Sequence, residues 1–426
     1  MNAFFSPSPW TPEDRPLSLL TVTTLFPNAI RPQHGRFVAT RLAKLLATGE
    51  ATADVIAPVP WMPSWLRYAP AGRLDLVPRR TTLDGLEVHH PRYFVVPKAG
   101  MSLSPTTLYR SLKQCLAKLL AEGRRYDLID AHYFYPDGVA AVRLGRHFGI
   151  PVVVTARGSD LNLIPEFSAP RRMIREAAAR ADGLVTVCQA LKDKLVELGT
   201  PAEGVTVLRN GVDLDLFKPG DRSRVRRELG LTQRTLGSVG WLIERKGHHH
   251  VIRALASLPD TDLLIVGEGP ERDSLERLAG SLGLTGRVRF LGTLTQQNLA
   301  AVYSALDALV LASSREGWAN VLLESMACGT PVVASAIWGT PEVVTTPDAG
   351  VLMEKYDAEG IVDGVRRLFA KLPERAATRR HAEKFDWHDT TQGQLTLLRR
   401  VLAHRRACQL DPAEAIAATR AQSLRL

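Results

Sequence analysis

Short apolar runs alternate with stretches whose apolar residues recur every three to four positions, over almost the whole chain. The runs Leu19–Thr24, Asp54–Pro58, Leu128–Ala131, Val152–Ala156, Gly183–Val187 and Val205–Leu208 read as buried strands. After Gly35, the residues Val38, Leu42 and Leu45 share one helical face. Further helices are predicted over 105–122, 138–148, 168–180 and 189–198. A second set of strands begins near 235: Leu236–Val239, Asp262–Val266, Val288–Leu291, Ala308–Leu311 and Pro331–Ala334. Helices fit between them, for example over 270–282 and 319–328. Strands alternating with helices predict parallel sheets covered on both faces, here as two doubly wound α/β units in sequence.

The segment "RNGVDLDLFKPGDR" between the two sets has the Asn, Gly, Asp and Pro content of a hinge. The expected division is a flexible arm over 1–16, a first domain over 17–208, a hinge over 209–220 and a second domain over 221–385. A long helix over Asp386–His404 and a tail then complete 386–426, the helix packing back on the first domain. Open α/β sheets bind ligands at the carboxyl ends of their strands. Two such sheets facing each other would enclose a cleft.

With 426 residues and 45% hydrophobic content, the chain can bury sizeable cores. The apolar run Leu19–Phe26 is too short and too rich in threonine for a membrane span or a signal peptide. A cytoplasmic protein, soluble or peripheral on the inner membrane face, is expected. Cys115, Cys188, Cys328 and Cys408 are too widely scattered for a zinc site or a disulfide framework, which suits buried, reduced thiols. The net charge of +10 favours an anionic partner. From Arg399 onward six arginines face only Asp411 and Glu414, a net +4. No aromatic-plus-basic pattern points to nucleic acid, so an anionic membrane surface, a polyanionic substrate and a merely solvated basic face remain.

The densest chemistry lies in "EGWANVLLESMACGTPVVAS", residues 316–335. It reads as a loop, a short helix, a tight turn at Gly329-Thr330-Pro331 and a buried strand. Two carboxylates, Glu316 and Glu324, thereby flank a helix N-terminus. Carboxylates accept hydrogen bonds from sugar hydroxyls, and helix-terminal N–H groups attract phosphate. A nucleotide sugar satisfies both.

These strings, in this order, resemble the retaining family 4 glycosyltransferases of the GT-B fold, in a pattern similar to bacterial enzymes of teichuronic-acid-type and other surface polysaccharides. The resemblance runs from about residue 19 to about 400. Its carriers in the second half are "RNGVD" with Phe217, "VGWLIERKG", "LLIVGEGPER", "RVRFLG" and the 316–335 segment. In the first half they are "LFPNAIRPQHGRFV", "DAHYFYPDG" and "TARGSDLN".

The resemblance implies roles. Glu316 faces the donor sugar, Glu324 holds the nucleotide ribose, and Lys246, beside Arg245, grips the diphosphate. The backbone N–H groups of Trp318, Ala319 and Asn320 are candidate phosphate donors. Asn320 and Glu324 are four apart and can share a helix face. His132 lies near the donor sugar, and Gly35 near the donor phosphates and acceptor. Gly267 and Gly269 make a strand-to-helix turn that lets backbone approach the nucleotide, and Arg272 either contacts the base or does not. Many relatives carry an arginine where this chain has Trp241, which is otherwise a core residue. Arg245 or Arg157 is then the substitute. Asp160 either binds the acceptor hydroxyl or caps the next turn.

Other patterns lead elsewhere. "VGEGPER" is not a full dinucleotide fingerprint and lacks the supporting acidic residue for NAD. Asp213-Leu-Asp215 imitates a metal motif of another glycosyltransferase fold, which GT-B does not need. His248, His249 and His250 point about 100° apart on a helix and cannot converge on one metal ion, so partly exposed helix positions are expected. Trp61, Met62, Trp65 and Leu66 form either an acceptor-side or lipid-touching loop or a piece of core.

The expected activity is therefore metal-independent, retaining transfer from a nucleoside-diphosphate sugar, UDP- or GDP-linked, to a glycan or lipid-linked acceptor in cell-envelope polysaccharide synthesis. No cofactor is expected and no enzymatic nucleophile. Attack comes from the face of the leaving phosphate, which helps deprotonate the acceptor. A phosphorylase or epimerase on the same fold is one rival. A non-catalytic sugar-nucleotide or polyanion binder is the other.

Overall fold

The computed structural model describes residues 15–62, 74–95 and 100–408. Nearly all of the expected arm, the tail beyond Cys408, and Trp65 with Leu66 lie outside the described residues. The chain forms two compact units. Among the described residues, the first takes in those up to Val185, Leu195–Thr206 and those from Thr391 to Cys408; the second takes in Thr186–Lys194 and Val207–Thr390.

The first unit is built on β1 (Leu17–Val22), β2 (Ala51–Ile56), β3 (Val59–Trp61), β4 (Arg80–Leu83), β5 (Leu86–His89), β6 (Arg92–Phe94), β7 (Leu128–His132), β8 (Val152–Ala156), β9 (Gly183–Thr186) and β10 (Val205–Val207). Eight of these form one sheet in the order β10-β9-β8-β7-β1-β2-β5-β4. β1 runs parallel to both β2 and β7, and β7 to β8. β4 and β5 are an antiparallel hairpin. Its turn, Asp84-Gly85, has positive φ at both residues, the geometry an Asp-Gly pair supplies. β3 and β6 pair separately, side by side and parallel.

The second unit carries β11 (Arg234–Val239), β12 (Thr261–Val266), β13 (Val288–Phe290), β14 (Ala308–Leu311), β15 (Val332–Ser335) and β16 (Gly350–Met353). Their order is β13-β12-β11-β14-β15-β16, all parallel. The order reverses between β11 and β14, the switch point where open α/β sheets hold ligands. Buried strand residues such as Leu236, Leu263, Ile265 and Val310 pack on Val251, Ile252 and Leu255 of the helix His248–Leu255. Each such side chain contributes about 1.5–3 kcal/mol on burial.

The eleven strands read from the sequence are present. The reading missed β3–β6 and β16. β4 and β6 are short, half polar and partly exposed, so they lack the continuous apolar run of a central strand. The segment expected as a hinge is bound into the second unit: Val212 N–H donates to the Phe385 carbonyl, and Gly211 lies against the Asp386 backbone. Asp213 closes a local turn by accepting from the N–H groups of Asp215 and Leu216. The C-terminal helix spans Trp387–Ala407, and its Leu395, Leu398 and Val401 are buried. The thiols correct the expectation of uniform burial: Cys188 and Cys328 are buried, but Cys115 is half-buried and Cys408 exposed.

Candidate active site

In the second unit the loops that leave β11 and β14 meet at the switch point. Ser314 N–H donates to the Arg245 carbonyl, and Arg245 Nη1 donates to the Arg315 carbonyl. A Cβ on Gly247 would lie 2.1 Å from the Ala312 carbonyl oxygen, so the loops approach to backbone distance. One residue further along each loop, Lys246 Nζ sits 2.5 Å from Glu316 Oε1. Burial works to raise the Glu316 carboxyl, but Lys246, Ser313 and Arg245 together hold the group below its usual range. The sequence thus places a cation and an anion at the carboxyl edge, locked by the turns that carry them.

The helix Asn320–Ala327 starts four residues after Glu316. Among the described residues, the backbone N–H groups of Trp318, Ala319 and Asn320 meet no protein acceptor, as at the open first turn of any helix. The turn is held from behind by Asn210. Trp318 Nε1 donates to the Asn210 carbonyl at 3.0 Å, and Asn210 Nδ2 donates to Asn320 Oδ1 at 3.3 Å. On the same helix Glu324 accepts from the buried Tyr303 hydroxyl at 3.0 Å. Burial pushes the Glu324 carboxyl up to about 7, with the Tyr303 bond opposing the shift. A carboxyl that titrates near neutrality, one helical turn from the open N–H groups of the first turn, suits a ligand that offers hydroxyls and phosphate together.

Gly267 and Gly269 have protein reasons for being glycine. Both have positive φ, and a Cβ would meet the Gly240 carbonyl oxygen at 1.9 Å and the Leu242 carbonyl oxygen at 2.4 Å. Arg272 is taken up by Glu276 and Glu268 and lies over the Phe290 ring, which favours the reading without a base contact. Trp241 is not core: it is 58% exposed beside the β11–β14 switch point. His248 also departs from expectation. It is buried, its Nδ1 bonded to Ser238 Oγ at 2.8 Å, while His249 and His250 are half-buried.

The first unit gathers its candidates at the carboxyl edges of β1, β7 and β8. Gly35, with φ 64°, starts the helix Arg36–Leu46 against Leu25, whose carbonyl carbon a Cβ would approach to 2.2 Å. His34 Nε2 is bonded to the Thr24 carbonyl. His132 corrects the expectation of a sugar-facing ring. It is 1% exposed, with Nε2 3.3 Å from Asp130 Oδ2 and Nδ1 2.7 Å from Arg157 Nη2. Burial pushes its pKa down to about 4, so it is neutral. Arg157 is itself buried and lies over the Phe37 ring, within its own unit. Asp160 is buried inside the short helix Ser159–Asn162 and accepts from the backbone N–H groups of Phe134, Arg157 and Gly158, so its carboxylate braces the adjoining loops and makes no helix cap.

Sequence reasoning missed Tyr303, Asn210 and Asp130. A lone tyrosine in the apolar helix Gln296–Ala305 was the available signal, since a buried phenol needs a partner. Asn210 and Asp130 lie in the strings "RNGVD" and "DAHYFYPDG" that carry the resemblance, but nothing local shows which groups they meet. Among the described residues no helix is long and apolar enough to cross a membrane.

Residues 38–216 match the family described as Glycosyltransferase Family 4, and residues 221–385 that described as Glycosyl transferases group 1. A D-inositol 3-phosphate glycosyltransferase of Mycobacteroides abscessus is 32% identical over 314 residues, 69% of this chain and 70% of that protein. The protein of the same name from Mycolicibacterium gilvum is 33% identical over 302 residues, 66% and 68% of the two chains. Among solved structures, a sucrose-phosphate synthase from Thermosynechococcus elongatus superposes with a TM-score of 0.75 at 21% identity, over 91% of this chain and all of that one. The Anabaena protein HepE in complex with UDP-glucose gives 0.67 at 21% identity, over 91% and 100%. The two family matches, the relatives and the shared two-sheet architecture make this chain a family 4 glycosyltransferase of the GT-B fold.

Proposed function

We propose that the chain transfers a sugar, with retention of configuration and without a metal, from a nucleoside-diphosphate donor to a glycan or lipid-linked acceptor of the cell envelope. The observation that carries this reading is the Lys246–Glu316 pair beside the open first turn of the helix Asn320–Ala327. Lys246 and the turn's N–H groups meet the diphosphate, Glu316 the sugar and Glu324 the ribose. Fixed positive charge stabilises a leaving diphosphate without a metal. The UDP-glucose bound by the Anabaena neighbour supports a donor of this class, and the polyol phosphate in the names of the curated relatives supports an anionic acceptor. In the first unit Arg157 is the cation at the carboxyl edge, and His132 serves by holding it.

Thermal-shift screening of UDP- and GDP-sugars gives the donor as the one that raises Tm. Nucleoside diphosphate release that depends on acceptor, persists in EDTA and retains the anomeric configuration supports the proposal. Release without acceptor points to the phosphorylase or epimerase alternative, and binding without turnover to the non-catalytic one. Exposed Trp61 and Phe94, 6.4 Å apart between ring centroids, support contact with lipid or acceptor. Binding to anionic but not neutral vesicles at low salt tests the lipid case.

A further inference from the structure

Arg157 ends a chain of five side chains, all buried in the first unit. Arg41 Nε donates to Gln394 Oε1 at 2.8 Å. Gln394 Nε2 donates to Asp130 Oδ2 at 3.0 Å. The same Asp130 oxygen lies 3.3 Å from His132 Nε2, and His132 Nδ1 lies 2.7 Å from Arg157 Nη2.

Chemistry alone fixes every proton in this chain. A guanidinium only donates and a carboxylate only accepts. The Gln394 amide must therefore turn its oxygen to Arg41 and its NH₂ to Asp130. At the other end Arg157 donates to His132 Nδ1, so that nitrogen carries no proton. The ring is then the Nε2–H tautomer, donating to Asp130. A neutral His132 agrees with its low pKa of about 4. Gln394 and His132 each both accept and donate, and Gln394 passes donation on from Arg41 to Asp130, the carboxylate on which the two ends of the chain converge. Gln394 comes from the C-terminal helix, 264 residues from Asp130.

We propose that Gln394 is a positioning residue for sugar transfer. By bridging Arg41 to Asp130 it fixes the Asp130 rotamer, and through it the tautomer of His132 and the aim of Arg157. This rests on the proposed role of His132 and Arg157 at the first unit's carboxyl edge. Supporting groups of this kind are worth far more than their contact area, because small misplacements of an orienting group reduce rate steeply.

The test uses the full chain. Histidine-labelled protein is examined by ¹⁵N NMR, with the His132 signals assigned by their loss in H132A. Turnover is followed as UDP or GDP release from UDP-glucose and GDP-mannose. Gln394→Met removes both polar atoms at similar size. Gln392→Met, exposed on the same helix, is the control. The wild type is expected to show one neutral Nε2–H tautomer. Q394M is expected to mix both tautomers and to lose about 10–100-fold in kcat with donor KM within about threefold, while Q392M changes neither. Gln394→Glu keeps the acceptor for Arg41 but sets an oxygen against Asp130. It is expected to lose kcat likewise and serves if Q394M folds poorly. A Q394M or Q394E protein with wild-type tautomer and kcat overturns the inference. If H132A is inactive in that case, the role of His132 survives; if H132A is fully active, that role falls with it.

Discussion

Lys246 and Glu316 form an ion pair that joins the loop after β11 to the loop after β14, across 70 residues of sequence. Each charge holds the other in place at the sheet's switch point. If the pair acts as one unit on the donor, its losses are not additive. Lys246→Met is expected to lower turnover about 10²–10³-fold. Glu316→Gln should fall similarly, and the double variant little further. Steady-state kinetics of the three proteins check this, and simple additivity would show that the two act separately.

Glu324 titrates near neutrality in the folded chain, at about 7, against about 4.3 when unfolded. Its folded pKa is raised, so its contribution to stability is full below about pH 4.3 and is lost as pH rises through about 7. The Tm of the wild type relative to Glu324→Gln should therefore decline across that interval. Tyr303→Phe removes the bond that opposes the shift and should move the decline to higher pH. Calorimetry on the three proteins from pH 4 to 8 reads both effects.

His132 and His248 act in the opposite direction. Burial pushes each down to about 4, from about 6.5 in the unfolded chain. Both folded pKa values are depressed, so the stability they confer is present above about pH 6.5 and falls away toward pH 4. Replacing His248 with Gln should flatten part of this acid limb while leaving stability above pH 7 less pH-dependent than in acid. Urea midpoints against pH provide the measurement.

Gly267 and Gly280 make a matched pair for backbone effects. At Gly267 a side chain meets the Gly240 carbonyl and an unfavourable φ, and Gly267→Ala should lower stability by about 1–3 kcal/mol or more. Gly280 sits in the helix Arg272–Ser281 with open space around it. Gly280→Ala should raise stability by about 0.5–1 kcal/mol. Denaturant unfolding distinguishes them by sign.

Trp241 stands exposed beside the β11–β14 switch point, where the sequence resemblance leads to the expectation of an arginine. Trp241→Ala should leave Tm nearly unchanged, because little of the side chain is packed. Trp241→Arg should tighten nucleotide binding through a charge-assisted contact of about 1.5–3 kcal/mol. Titration calorimetry with UDP and GDP tests the gain, and an unchanged affinity would place the indole away from the phosphates.

The fold was legible because central parallel strands are buried on both faces and appear as apolar runs with helices between them. β4 and β6 escaped because edge strands carry polar residues that look like loop. At the site the sequence offered Glu316, Glu324 and Lys246 as chemistry but not as partners. Which polar groups meet is decided by tertiary packing: Tyr303 finds Glu324 across 21 residues, and Asn210 finds Asn320 across 110. His132 read as a sugar-facing ring because its place at a strand end was visible, whereas its enclosure by Asp130 and Arg157 was not.

The first unit takes its buried Leu395, Leu398 and Val401, along with Gln394, from the helix Trp387–Ala407. During synthesis that unit emerges first but lacks one wall of its core until nearly everything else has been made. The second unit, by contrast, has its full sequence by Thr390. The order of translation and the order of completion are therefore reversed. A chain released early, near Thr390, would hold a finished second unit and an open first one, with apolar surface exposed to quality control.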